Sequence, residues 1–138
     1  MSTKCKYQIT VGGVLLKQNK VLLLQRAASE RVLPNLWELP SGKKETTETI
    51  WQALVREFKE ETGLKVKIVK PISVFDYRLI KDRQKVYTTQ INFLVKYTGR
   101  RLEIKLSPEH RAYKWVGRKD LKKLKVSREI SRVVNSVL

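Results

Sequence analysis

Apolar and polar positions alternate along this chain in two different periods. Residues 7–17 and 21–26 are rich in β-branched residues and leucine with a loose period of two, and Gln18-Asn19-Lys20 parts them. That pattern predicts two strands joined by a short turn. Residues 27–36, which include Pro34, predict a loop, and Trp37-Glu38-Leu39-Pro40 a short extended piece ending at Ser41-Gly42. Residues 64–69, 74–80 and 86–97 read as further strands, the last two flanking the charged turn at 81–85. Residues 102–106 predict another short strand, 107–110 a loop, and 113–116 a final short strand.

Two stretches carry the helical period instead. One begins at Thr46 or Thr47, where Glu48 offers a first-turn acid, and runs to about Thr62; Gly63 supplies the C-terminal stop. The other places Ile130, Val133, Val134, Val137 and Leu138 on one face, with Ser127 as its cap. No repeat, low-complexity tract or linker interrupts the series. The expected fold class is α/β: a single domain over residues 1–138, with helices packed against one mixed β-sheet.

Composition narrows the setting. The 138 residues are 41% apolar and 31% charged, as in a folded globular chain, and no apolar run approaches the length of a membrane span. The opening five residues lead straight into strand-like sequence without a signal-peptide block. Cys5 is the only cysteine, so no disulfide forms within the chain, and it reads as an inert thiol; a reducing, cytoplasmic location is expected. The formal charge is +17, yet residues 42–64 hold five acids against four bases. An acidic island in a basic chain attracts polyanions, nucleotides and nucleic acids alike.

The first helix carries the chemistry. On a wheel of about 100° per residue, Ile50, Leu54, Phe58, Trp51, Val55 and Ala53 share one apolar arc. Glu57 and Glu61 fall inside that arc and Glu60 at its edge. Carboxylates on a core-facing stripe are costly unless paired or coordinated. They also crowd one another at spacings of three and four, at the helix end where the dipole disfavours anions. Arg56 and Lys59 offset part of this charge, and a divalent cation resolves the rest. Oxygen donors without His or Cys favour magnesium or manganese.

The spacing is also specific. Gly42, Glu48, Arg56-Glu57-Phe58, Glu60-Glu61 and Gly63-Leu64 match G-x5-E-x7-R-E-U-x-E-E-x-G-U, where U is bulky and apolar. This 23-residue stretch resembles the Nudix box, and Arg26 with Trp37-Glu38-Leu39-Pro40 is similar to MutT-like members. Ser41 stands where the family usually has glycine. The resemblance implies an α/β/α sandwich and magnesium, or manganese, held by Glu57, Glu60, Glu61 and the Gly42 carbonyl. It implies that Arg56 orients Glu57 and that Glu48 holds the segment together. The implied reaction is attack of a metal-activated water on a diphosphate. A general base outside the box is implied too, and Glu109 is the best-placed candidate; His110 beside it reads as structural or solvent-facing.

Substrate contacts follow from chemistry rather than motif. Arg26, Arg31 and Lys44 are candidate phosphate ligands. Trp37, Phe75, Tyr77 and Tyr87 are candidates to stack a base, whereas Trp51 and Trp115 are assigned to packing. The proline that follows the box in ADP-ribose pyrophosphatases is absent, Leu79-Ile80 standing in that region. The expected activity is a MutT-like nucleoside triphosphate pyrophosphatase with a small-molecule nucleotide substrate and no membrane association. Two alternatives stay open, an RNA 5′-end pyrophosphohydrolase and a non-catalytic nucleotide- or nucleic-acid-binding domain; so does the oligomeric state. The RNA reading draws on the nine Lys or Arg against two acids in residues 111–138.

Overall fold

The alternation at the start of the chain forms β1 (Cys5–Lys17) and β2 (Lys20–Arg26), which turn through Gln18 and Asn19, both at positive φ. The computed structural model describes residues 5–31 and 33–138. Next come two short strands, β3 (Trp37–Glu38) and β4 (Ser41–Lys43), then the helix α1 (Ile50–Thr62). A long hairpin follows, β5 (Val66–Lys81) and β6 (Gln84–Tyr97), before β7 (His110–Val116), α2 (Arg118–Leu121) and α3 (Arg128–Val137).

The main sheet order is β3-β2-β1-β6-β5, with β4 paired to β1 and β7 to β2. The β1–β6 pair is parallel and the others are antiparallel, which makes the sheet mixed as expected. Alternation along β2 divides the core in two. Leu22 and Leu24 face one cluster with Ala53, Leu54 and Phe58 of α1; Val21 and Leu23 face another with Ile130, Val133 and Val134 of α3. Helices therefore cover both faces, an α/β/α sandwich. Each large apolar side chain so buried contributes about 1.5–3 kcal/mol.

Several boundaries differ from the sequence expectation. The first helix starts at Ile50, not at Thr46 or Thr47. Thr49 is the N-cap, and Thr49 and Gln52 form a reciprocal capping box. The preceding turn belongs to Glu48, whose carboxylate accepts from the Glu45 N–H at 2.9 Å. The strands expected at 64–69 and 74–80 are one strand, β5, with register shifts on either side of Lys70 and Pro71. As an edge strand β5 tolerates Pro71, which interrupts no second ladder. Residues 102–106 form no strand. Leu102, Ile104 and Leu106 do pack on the core, but the Lys105 N–H donates to the Thr62 carbonyl at the end of α1. Trp51, assigned to packing, meets Phe93 edge-on but leaves about half of its surface, 52%, exposed.

No helix of the described residues is long and apolar enough to cross a membrane.

Candidate active site

The site is assembled where the C-terminal half of α1 passes beside β4 and the start of β7. Glu61 is 4% exposed, and its carboxylate accepts from the Ser41 N–H at 2.8 Å. Burial, with Glu38, Glu57 and Glu109 nearby, pushes its carboxyl up to about 9 against that hydrogen bond. Glu57 is largely covered, and burial raises its carboxyl as well, with Glu60 and Glu109 adding to the effect against the pull of Arg56. Glu60 by contrast faces solvent. The wheel sets Glu57 and Glu61 inside the apolar arc and Glu60 at its edge, and the covering of the first two and exposure of the third follow from those angles.

Arg56 holds the charge of the segment together. Its guanidinium donates to both oxygens of Glu48, to Glu57 at 2.8 Å, to Glu60 at 3.3 Å and to the Lys43 carbonyl at 3.2 Å. Hydrogen bonding to Arg56 lowers Glu48 to about 2. Gly42 is in contact with this array: a Cβ there would stand 2.1 Å from the carboxyl carbon of Glu57. Only a residue without a side chain lets β4 approach that carboxylate.

Glu109 comes from the loop before β7, and pairing of β7 with β2 sets Arg26 opposite His110. One donor atom each from Glu61, Glu109 and His110 lies within 4.8 Å of the others. The His110 ring is fully buried, with Nε2 2.8 Å from a Glu38 oxygen and Nδ1 3.7 Å from a Glu61 oxygen. Sequence reasoning missed both Glu38 and the burial of His110. Glu38 sits inside the Trp37–Pro40 stretch that marked the resemblance, but its partner arrives from 72 residues away.

The structure brings Gly42, Arg56, Glu57, Glu60, Glu61 and Glu109 to one place and distributes the expected substrate contacts around it. Arg26 pairs with Glu38 at 3.4 Å and with Glu30 at 4.0 Å, and it borders a cavity of about 280 Å³. Glu38 and Ser41 form one wall of that cavity, and Phe75, Tyr77, Leu79 and Leu36 form much of the rest. Tyr77 and Arg78 also line a wider groove of about 1020 Å³ with Lys6, Lys43, Lys44, Tyr7 and Tyr87. Lys43 crowds Lys6 and lowers its pKa, a repulsion that a bound anion relieves. Arg31 is exposed 3.8 Å from Asp82 and lines neither the cavity nor the groove. Trp37 packs with the α3-side core and is not among the residues lining the cavity, so it is placed for packing rather than stacking.

A model of the NUDIX domain matches residues 6–136. The chain belongs to the Nudix family. This Nudix chain is 32% identical to the 8-oxo-dGTP diphosphatase of Buchnera aphidicola subsp. Schizaphis graminum over 117 residues, 85% of this chain and 82% of that protein. It is 33% identical to the RNA pyrophosphohydrolase of Zymomonas mobilis subsp. mobilis over 136 residues, 88% of this chain and 86% of that one. Its fold matches the crystal structure of the MutT protein from Methanosarcina mazei Go1 with a TM-score of 0.79. That match covers 99% of this chain and 96% of the other at 24% identity, a likeness of fold. The chain is thus a Nudix hydrolase of the MutT type, acting on acid anhydrides. Nudix hydrolases generally use divalent metal ions, and the donor set fits one. Glu61 is buried beside the carboxylates of Glu38, Glu57 and Glu109, and among the described residues His110 Nδ1 has no hydrogen-bond partner.

Proposed function

We propose that the protein is a magnesium-dependent, MutT-like pyrophosphohydrolase that converts a nucleoside triphosphate into the monophosphate and pyrophosphate. The observation that carries this reading is the gathering of Glu57, Glu61 and Glu109 beside Ser41 and Glu38, two residues that line a mostly apolar cavity. At about 280 Å³ that cavity is near the lower bound for small-ligand sites. Phe75 and Tyr77 offer ring faces to a base, and the Lys6–Lys43–Lys44 side offers charge to a phosphate tail.

Glu57, Glu60, Glu61 and the Gly42 carbonyl would hold magnesium, for which manganese can substitute. When bound, the ion neutralises diphosphate oxygens and acidifies a water molecule. Arg56 fixes the Glu57 carboxylate by its 2.8 Å hydrogen bond and so limits the rearrangement that binding requires. Glu109 is exposed and lies beside Glu61, where it accepts the proton of the attacking water. Arg26 orients Glu38 and reaches the cavity edge; Arg31 contributes a phosphate contact from a neighbouring hollow that it lines with Arg26, Lys6 and Lys43.

A panel of nucleoside triphosphates with magnesium, scored for pyrophosphate against phosphate, tests the reading. Monophosphate and pyrophosphate are the expected products; stepwise phosphate release, or no turnover across the panel, would contradict it.

A second reading, cleavage at an RNA 5′ end, is favoured by the 1020 Å³ groove. Its lysines and stacked Tyr7–Tyr87 pair, with ring centroids 5.4 Å apart, suit a single strand. Triphosphorylated RNA would then be cut faster than free nucleotide, with steep salt dependence. Equal rates and a flat salt response would count against it.

A further inference from the structure

We propose that His110 is a metal ligand: its Nδ1, with Glu61 and Glu109, forms a mixed nitrogen–oxygen site for a divalent ion, sharing Glu61 with the oxygen site on α1. The proposal rests on the metal-dependent reading above and adds a donor that the glutamates of the box do not provide.

The geometry of the imidazole is the starting point. The ring is fully buried, and Nε2 stands 2.8 Å from Glu38 Oε2, a hydrogen-bond distance. A carboxylate only accepts at that position, so Nε2 carries the proton. In the neutral ring Nδ1 is then left with its lone pair directed inward. Among the described residues Nδ1 has no hydrogen-bond partner, which is costly for a buried polar atom. Its neighbour is Glu61 Oε2 at 3.7 Å, too long for a hydrogen bond. An unpartnered ring nitrogen and a carboxylate oxygen, both able to ligate a metal, therefore face each other across a gap.

An ion fits that gap. Metal–donor bonds of about 2.0–2.2 Å place neighbouring donors on the order of 3–3.5 Å apart, so a small closure completes the pair. Glu109 is exposed and has one oxygen within 4.8 Å of both partners; that oxygen supplies a third donor, and the other is left for the proton it accepts. A carboxylate bonded to the other ring nitrogen is the usual support for a metal-binding histidine, because it fixes the tautomer and raises ligand basicity. Glu38 occupies that position, and Arg26 at 3.4 Å steadies it.

The donor set also selects among ions. Magnesium prefers oxygen ligands and keeps its water, whereas an imidazole nitrogen favours manganese, iron, cobalt or zinc. This site accordingly binds manganese in preference to magnesium, while the glutamates of α1 accept either.

His110 is the only histidine in the chain, which makes the test direct. Electron spin-echo spectroscopy of one equivalent of Mn²⁺ on the untagged full chain, with magnesium in excess, reads nitrogen coupling to the metal. Coupling from one imidazole is expected in the native protein. His110→Gln should remove it and weaken Mn²⁺ binding by about 10-fold or more, with magnesium affinity nearly unchanged. Because the native spectrum is itself decisive, a poorly folding variant would not blunt the test. Bound Mn²⁺ with no nitrogen coupling and intact turnover would overturn this proposal and leave the pyrophosphohydrolase reading standing. Failure to bind Mn²⁺ at all would overturn both.

Discussion

Arg56 clasps Glu48 with two parallel hydrogen bonds, Nε to Oε2 at 2.5 Å and Nη2 to Oε1 at 2.7 Å. This pair ties the turn before α1 to the second turn of the helix. It leaves Nη1 aimed at Glu57 and Glu60. A single guanidinium thus joins a structural carboxylate to those proposed to hold metal.

Loss of that clasp has a predicted pH signature. Glu48 titrates at about 2 in the folded chain against its ordinary 4.5, chiefly because Arg56 hydrogen-bonds the ionised form. A depressed folded pKa stabilises the protein above the unfolded value and is lost as pH falls from about 4.5 through about 2. The melting temperature of the native protein should therefore fall more steeply over that window than that of Glu48→Gln. At neutral pH Glu48→Gln should melt a few degrees lower. Parallel curves for the two proteins would show that the pair contributes nothing to folding.

Gly42→Ala places a methyl group where the Glu57 carboxylate now lies. The carboxylate must move by an ångström or more. Misplacement on that scale costs about 100-fold in turnover. Circular dichroism should remain native, since β4 is short and the core is untouched. Turnover within a factor of about two of the native enzyme would show that the close approach is incidental.

Much of this was legible from residues alone, for an identifiable reason. Local periodicity places Glu57 and Glu61 on the core-facing arc and Glu60 at its edge, because a helix fixes those angles wherever it packs. The strand alternation in 7–17 and 21–26 was equally local. What failed depended on a partner distant in sequence. The alternation of Leu102, Ile104 and Leu106 is real, yet the nearest backbone partner is the end of a helix, so no strand forms. His110 read as structural or solvent-facing because nothing nearby shows that β7 will pair with β2 and carry the ring between Glu38 and Glu61. The cap at Thr49 is marked locally by Gln52 three residues later, while Thr46 and Thr47 carry the same cap chemistry without a Gln or Glu at that spacing.

Glu109→Gln separates proton transfer from metal binding. The amide keeps an oxygen donor beside Glu61 but cannot accept a proton as a carboxylate does. Turnover should fall about 10²–10⁴-fold, with magnesium affinity reduced far less. A pH–rate profile for the variant should lose the limb that reports the base. Unchanged turnover would return that role to a glutamate of α1.

The central claim is that carboxylates on the apolar side of α1 bind the catalytic ion. Magnesium-dependent turnover of a nucleoside triphosphate by Glu57→Gln, compared with the native enzyme at matched folding, tests it most directly. The account predicts a loss on the order of 10³-fold that added magnesium does not restore, with the melting temperature held or raised because a buried charge is gone. Turnover equal to the native enzyme over the same magnesium range would contradict it.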